Sequence, residues 1–301
     1  MARGLLLTRA LASHARPLRA VFDERFADPR STRADRFVWD YWHVPGQYTA
    51  LRTPAWTYFP QAAYRRFHEA LVGWGRATLG CHDVSPPWLS CYVDGGEQRL
   101  HGDLPHGPWA FVYSLTPWAR RAFTGGETLV LREEVLDYWH DFRSTRGLEE
   151  PDVVRAIAPQ LGQLTVFDPR LPHGVRRVGG THDPRAGRLV VHGWFVSPRP
   201  FIEGPLPARA LAARLDALTP AVTRAVGAVP LAGLLSLEAR VAADGAVTST
   251  RVLSDNTRVP AVDEPARRRA VAALRRELAA WRFGRQRRPS RLTIPLVFER
   301  G

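Results

Sequence analysis

The sequence predicts a mainly β protein with flanking helices, followed by a small α+β domain at the carboxy terminus. Three observations predict it. Short runs of apolar, β-branched and aromatic residues, bounded by Gly, Pro and Asp, recur between Trp88 and Val196 and read as strands. An apolar stripe of helical period (Ala63, Phe67, Ala70, Leu71 and Trp74) precedes them. A strand, hairpin, strand, helix, strand order closes the chain from Leu235 onward.

In order along the chain, residues 1–35 carry little pattern. Val21-Phe22 and Phe26 can cover a core, and Asp28-Pro29-Arg30-Ser31-Thr32 reads as a turn or loop. Residues 37–43 are rich in aromatics and read as a strand or loop packed on the sheet, with substrate lining as the alternative. Thr53-Pro54 and Phe59-Pro60 break the next stretch into short pieces. Residues 61–79 form a helix with one apolar face, and Gly80 supplies its stop. Strands follow at 88–93, 109–115, 127–131, 164–167 and 188–196, and Leu100-His101-Gly102-Asp103 reads as a strand end. Residues 132–159 are an excursion between strands with a short helix at 135–140; a lid over a site and an ordinary surface segment are both open readings. After Pro198-Arg199-Pro200 the composition shifts, and residues 207–226 read as an Ala-, Leu- and Arg-rich helix. Strands at 235–241 and 247–253 flank the hairpin signal Asp244-Gly245. A helix from Pro265 to Ala279 and a strand at 292–298 complete the chain.

The formal charge of +13 comes from 42 basic residues, every one of them Arg. They are scattered, and the clusters at 267–269 and 285–291 read as a solvated helix face and its turn, so no nucleic-acid partner is expected. Two cysteines, Cys81 and Cys91, exclude a disulfide scaffold. Cys91 sits in an apolar run and reads as a buried free thiol, with one bridge between the two left open. Arg9 interrupts the first apolar run too early for a signal peptide, and no stretch is long enough to span a membrane. A cytoplasmic location is the expectation.

Chemistry concentrates at His101 and Asp103. Side chains two apart on a strand share a face, so these two project together, and Gly102 between them demands no space. A His-x-Asp pair by itself is most often a hydrogen-bonded surface pair. With a second His it becomes two imidazoles and a carboxylate on one side of a metal, the facial triad that leaves positions open for substrate or O2. His173, in Leu171-Pro172-His173-Gly174, follows the strand at 164–167 and is the candidate third ligand. His106, His140 and His182 compete less well, since Pro105 breaks the alternation before His106 and the other two lie in loops. On the last strand Arg188, Val190 and His192 share a face, so His192 either points into the same cavity as Arg188 or is a satisfied core histidine.

Residues 88–198 resemble the 2-oxoglutarate/Fe(II) dioxygenases of the prolyl-4-hydroxylase-like type. The resemblance rests on Tyr92 with Gly95-Gly96 ahead of the His-x-Asp pair, on Gly125-Gly126-Glu127-Thr128-Leu129, on Phe167 leading to Pro172-His173, and on Arg188 fifteen residues after His173. It implies a double-stranded β-helix, or jelly roll, whose mouth holds iron on His101, Asp103 and His173 as the catalytic centre. It also implies that Arg188 grips the distal carboxylate of 2-oxoglutarate, a task that suits the planar guanidinium fork. Tyr92, Tyr113 and His192 are then candidates for hydrogen bonds to that cosubstrate, and Arg176 and Arg177 rank below Arg188. The implied reaction uses Fe(II), 2-oxoglutarate and O2, with ascorbate as an optional addition. It hydroxylates an unactivated C–H of a peptidyl or free amino-acid-like substrate and releases succinate and CO2. Two alternatives stand: a cupin-like metal enzyme that does not use 2-oxoglutarate, and a non-catalytic protein-binding module. Residues 234–300, with Asp244-Gly245, Trp281-Arg282-Phe283 and Phe298, resemble the carboxy-terminal domain of TonB-like proteins, which implies a protein partner or self-association. The expected organisation is a dioxygenase domain over 1–202, a helical linker over 203–232 and the TonB-like domain over 233–301.

Overall fold

An antiparallel sheet that curls on itself makes the first of two units in the computed structural model. The residues described are 3–28, 30–32, 34, 38–103, 106–137, 147–227 and 229–299. In chain order the strands up to the site are β1 (Leu5–Thr8), β2 (Asp40–Val44), β3 (Tyr48–Pro54), β4 (Cys81–Val84), β5 (Trp88–Tyr92), β6 (Glu97–His101), β7 (Trp109–Ser114) and β8 (Thr128–Leu131). They continue as β9 (Val154–Ile157), β10 (Leu164–Phe167), β11 (His173–Val175), β12 (Arg188–Pro198), β13 (Phe201–Glu203), β14 (Gly233–Val241), β15 (Val247–Asp255) and β16 (Ser290–Phe298). The helices are α1 (Ala15–Arg25), α2 (Ala55–Tyr58), α3 (Gln61–Thr78), α4 (Glu133–Asp137), α5 (Glu150–Val153), α6 (Ala208–Val226) and α7 (Glu264–Ala279).

The first unit takes Leu5–Leu71 and Val84–Val196. Its strands run in the order β1-β10-β7-β12-β5-β3-β6-β11-β8-β9, with β2 beside β3. Neighbours along this order, and β2 with β3, pair antiparallel. The curled sheet is that of a jelly roll, the fold that the resemblance of residues 88–198 implies. Helix α3 spans almost the predicted residues and buries Phe67 against the Tyr113 ring at 4.8 Å, and Gly80 beyond it takes φ +69°.

Two regions differ from the sequence reading. The patternless amino terminus contains β1, which pairs with β10, and α1, whose Ala15, Leu18 and Phe22 are buried at three- and four-residue steps. Thr53-Pro54 and Phe59-Pro60 do divide the chain as read: β3 ends at Pro54, α2 is four residues long and α3 starts after Pro60. Part of the 132–159 excursion is sheet, because β9 pairs with β8. The excursion also carries α4 and α5, and its residues 138–146, including Tyr138, Trp139 and His140, lie outside the described residues, as do Phe37 and Pro105.

One glycine sets the approach of the central strands. A Cβ at Gly174 would stand 2.3 Å from the Gln98 carbonyl oxygen, so β11 packs this closely on β6 only without a side chain there.

The second unit takes, among the described residues, 3–4, Val72–Asp83 and those from Ser197 onward. Its strands run β13-β16-β14-β15. The β-β-α-β order expected of the carboxy terminus is present as β14, β15, α7 and β16, with Gly245 at φ +89° in the hairpin. Leu235, Leu237, Ala239 and Val241 of β14 form one core with Leu211 and Leu218 of α6 and Leu274 and Leu278 of α7. The alternation predicts a half-buried β14, yet its polar face is closed too. Ser236 donates to the Leu79 carbonyl just past α3, and Glu238 lies 1 % exposed beneath Arg251 and Arg240. Both cysteines are buried free thiols.

Candidate metal centre

Cross-strand register builds the centre. His101 is the last residue of β6 and His173 the first of β11, and the two are direct partners across the ladder. Their ring centroids are 4.4 Å apart, as directly opposed side chains should be. Asp103 lies two residues beyond His101, just outside the strand, and its backbone N–H donates to the Pro169 carbonyl at 2.8 Å. That carbonyl belongs to the turn ahead of His173. Buried Asp168 holds the turn by accepting two bonds from the Arg170 guanidinium, at 2.9 and 2.8 Å. One turn therefore positions both the carboxylate and the second imidazole.

The three side chains converge. His101 Nε2 lies 3.4 Å from Asp103 Oδ1, His173 Nε2 lies 3.2 Å from Asp103 Oδ2, and the candidate ligand atoms all fall within 4.8 Å of one another. A metal about 2.1 Å from each ligand atom would set neighbouring ligands about 3 Å apart, so the set fits one ion. Tautomer chemistry agrees. His101 Nδ1 donates to the Arg99 carbonyl at 2.8 Å and His173 Nδ1 to the Leu171 carbonyl at 2.9 Å. A carbonyl can only accept, so each Nδ1 carries a proton and each Nε2 is turned toward the carboxylate, either donating to it as an imidazolium or, when neutral, offering a lone pair to a cation.

Charge at the site follows the same geometry. Burial works against ionisation of Asp103, but hydrogen bonds from His101 and His173 outweigh it and hold the carboxyl well below the usual carboxylate range. Burial also works against protonation of His101; its contact with Asp103 and the Arg99 carbonyl reverse that and raise it above the ordinary imidazole value. The Trp194 indole N–H donates to Asp103 Oδ2 at 3.2 Å, and the Gln98 amide lies 3.1 Å from His101 Nε2.

A cavity of about 620 Å³ opens beside the three ligands and is also lined by Tyr92, Arg188 and His192. The side chain of Arg188 is 1 % exposed. Its Nε donates to the Gly126 carbonyl at 2.8 Å and its Nη2 to Thr128 Oγ1 at 3.0 Å. The Tyr92 ring packs 4.8 Å from the guanidinium. Arg188 Nη1 is buried without a hydrogen-bond partner. Such an orphan donor is costly in a protein interior, and a ligand carboxylate would satisfy it. His192 accepts from or donates to Ser90 Oγ at 2.8 Å; burial, then Arg188, pushes it down to about 4, so it is neutral near pH 7.

The sequence-named residues separate as follows. His101, Asp103, His173, Arg188, Tyr92 and His192 all meet at the cavity. Tyr113 is a correction. Its hydroxyl donates to the Leu11 carbonyl at 2.8 Å, and its ring packs on Phe67 away from the cavity. Ala110, Phe111 and Val112 of β7 line the cavity and Tyr113 does not. Arg176 is engaged elsewhere, with Glu127 at 3.2 Å and Glu150 at 2.5 Å. His106 stacks on Trp194 at 4.5 Å and lines the cavity without joining the ligand set. His182 is exposed and His140 lies outside the described residues. Trp194, Gln98 and Arg52 were not singled out from sequence; the even-numbered parity shared with Arg188 and His192 could have found Trp194.

No protein-family model matches the chain, and no curated protein does. Among solved structures, a prolyl-4-hydroxylase from Pseudomonas putida is 18% identical with a TM-score of 0.42, over 65% of this chain and 93% of that one. HygX from Streptomyces hygroscopicus, solved with nickel and 2-oxoglutarate bound, is 15% identical with a TM-score of 0.41, over 64% of this chain and 82% of that one. EctD from S. alaskensis is 16% identical with a TM-score of 0.41, over 64% and 72%. Likeness at this level says nothing of activity or substrate.

Proposed function

We propose that the protein is an Fe(II)- and 2-oxoglutarate-dependent dioxygenase that hydroxylates an unactivated C–H and releases succinate and CO2. The observation that carries the reading is the meeting of His101, Asp103 and His173 in a cavity shared with Arg188, whose Nη1 has no partner. His101 Nε2, the Asp103 carboxylate and His173 Nε2 hold the metal. When bound, the metal with cosubstrate and O2 supplies the oxidising chemistry.

The chain supplies position and environment. Arg188 is clamped by Gly126 and Thr128, so its remaining donors point one way and can take the distal carboxylate of 2-oxoglutarate. Tyr92 packs on that guanidinium and offers a phenol that burial keeps protonated, raised above its ordinary value. Trp194 fixes the orientation of Asp103 and leaves the other carboxylate oxygen free to bind. His192 stays neutral and adds no charge beside Arg188.

For the second unit the proposal is a TonB-like module that binds a protein partner or a second copy. In its support, β15 is an edge strand, open to strand addition. A cytoplasmic setting fits Fe(II) chemistry and two free thiols. No helix among the described residues is long and apolar enough to cross a membrane.

The test is turnover: purified protein with Fe(II), 2-oxoglutarate and O2 should form succinate, and His173→Ala should abolish it. If the wild-type protein neither binds 2-oxoglutarate nor forms succinate with Fe(II), the dioxygenase reading fails.

A further inference from the structure

The cavity contains a second cation that the cosubstrate does not require. Arg52 of β3 lines it, and its guanidinium carbon lies 3.8 Å from the Trp42 ring and 4.5 Å from the Trp88 ring. Stacking on indoles uses the π face of the guanidinium and leaves the N–H groups, which radiate in its plane, for other partners. Arg52 Nε is buried without a hydrogen-bond partner. Its ladder partner across β2 is Asp40, but among the described residues no carboxylate makes an ion pair with Arg52.

Register separates this cation from Arg188. Arg52 opposes Ser90, and Ser90 opposes Val190; Arg188 opposes Tyr92. Arg52 therefore lies two strands across and one inward-facing position along from Arg188. At about 4.8 Å per strand and 3.4 Å per residue, their backbones are roughly 12 Å apart. Two such guanidiniums do not form one clamp; each can hold its own anion.

Charge balance indicates what the second anion is. The charged residues lining the cavity among those described are Arg52, Asp103 and Arg188. Two guanidiniums and a divalent metal against one carboxylate leave a cavity with three positive charges. A dicarboxylate cosubstrate cancels two of them. One monoanion completes the balance, whereas a phosphate monoester, at about −1.5 to −2, overshoots it.

We propose that Arg52 anchors a carboxylate of the substrate to be oxidised, so that the substrate is a small monocarboxylic acid with an apolar body rather than a residue inside a peptide chain. This rests on the dioxygenase reading, which supplies the cosubstrate in the balance. The aromatic wall of Trp42, Trp56 and Trp88 suits the apolar body.

Trp42 and Trp88 make the test direct, because tryptophan fluorescence reports on the site. Protein loaded with Ni(II) and saturating 2-oxoglutarate is titrated with 3-phenylpropionate, 3-phenylpropanamide and phenyl phosphate. The acid should bind at least about tenfold more tightly than the amide. That gap should close in Arg52→Gln and persist in part in Arg52→Lys, with both variants checked for wild-type melting. Equal affinity for acid and amide in the wild type, an unchanged gap in Arg52→Gln, or preference for phenyl phosphate would each overturn the proposal. So would loss of 2-oxoglutarate binding in Arg52→Gln, which would make Arg52 the cosubstrate's anchor. If wild-type protein binds no 2-oxoglutarate, the dioxygenase reading falls by itself; the acid–amide gap, repeated on metal-free protein, still supports or overturns the carboxylate anchor.

Discussion

At the scale of single residues, the site depends on what each polar atom lacks. His101 and His173 spend Nδ1 on backbone carbonyls and have only Nε2 to offer. Arg188 spends Nε and Nη2 on Gly126 and Thr128 and keeps Nη1. The buried guanidinium remains a cation even though burial lowers it below its ordinary value, because Tyr92 and Glu127 oppose the shift. Arg188→Ala should weaken 2-oxoglutarate binding by about tenfold to a hundredfold, the worth of a charge-assisted hydrogen bond pair. Metal affinity should not change, since Arg188 touches no ligand atom. Isothermal titration with Ni(II), then with 2-oxoglutarate, reads both quantities; a variant that loses the metal as well would contradict this division of roles. Residue types made the candidate ligand set legible in the sequence, because His-x-Asp and a later His are few and chemically distinct. Trp194 was not legible, since nothing local says that an indole on β12 will reach a carboxylate 91 positions away.

At the scale of elements, the centre is a property of the β6–β11–β8 ladder. His173 pairs with His101 on one side and Val130 on the other. Gly174 permits this, since its missing Cβ would collide with the Gln98 carbonyl. Gly174→Ala should push β11 off β6, costing about 1–3 kcal/mol by overpacking and loosening the two imidazoles together. A thermal melt and a Ni(II) titration check it: both should fall, and a lower melting temperature with wild-type metal affinity would show that the ladder tolerates the shift. Strands with clear alternation and Gly/Pro boundaries were read to within a few residues. Strands β1 and β9 were not: like β10 they are four residues long, but Leu5–Thr8 is mostly Leu and Val154–Ile157 carries Arg155 and Ala156, so neither shows the β-branched and aromatic enrichment of Leu164–Phe167. They are strands because a neighbour's open edge pairs with them. The polar face of β14 was misjudged for the same reason: its cover comes from the end of α3, far away in sequence.

At the scale of the whole molecule, charge sets the response to acid. The chain carries +13 at pH 7, and every carboxylate that protonates adds to self-repulsion. Glu264 adds a specific contribution in the second unit. Hydrogen bonds from Arg267, and from Arg3 and Arg268, hold its carboxyl at about 2 against a usual 4.5, with burial opposing. A depressed carboxylate stabilises the fold above its unfolded value and loses that stabilisation as pH falls toward its folded value. Stability should therefore hold above pH 4.5 and drop between 4.5 and 2, and Glu264→Gln should flatten that part of the curve. Urea melts across this range measure it; an equal slope in the variant would mean that Glu264 is not the group responsible.

The sequence alone determined the mainly β character, the flanking helix at 61–79, the β-β-α-β order at the carboxy terminus and the chemical types available at the site. These are local quantities: a period of two or 3.6, a turn residue, a titratable side chain. Tertiary structure alone decided that His173 opposes His101, that Trp194 donates to Asp103, that Tyr113 faces away and that Arg52 shares a cavity with Arg188. Each of those is a matter of register between strands distant in the chain. A shift of one residue in any ladder would have turned every one of them to the other face.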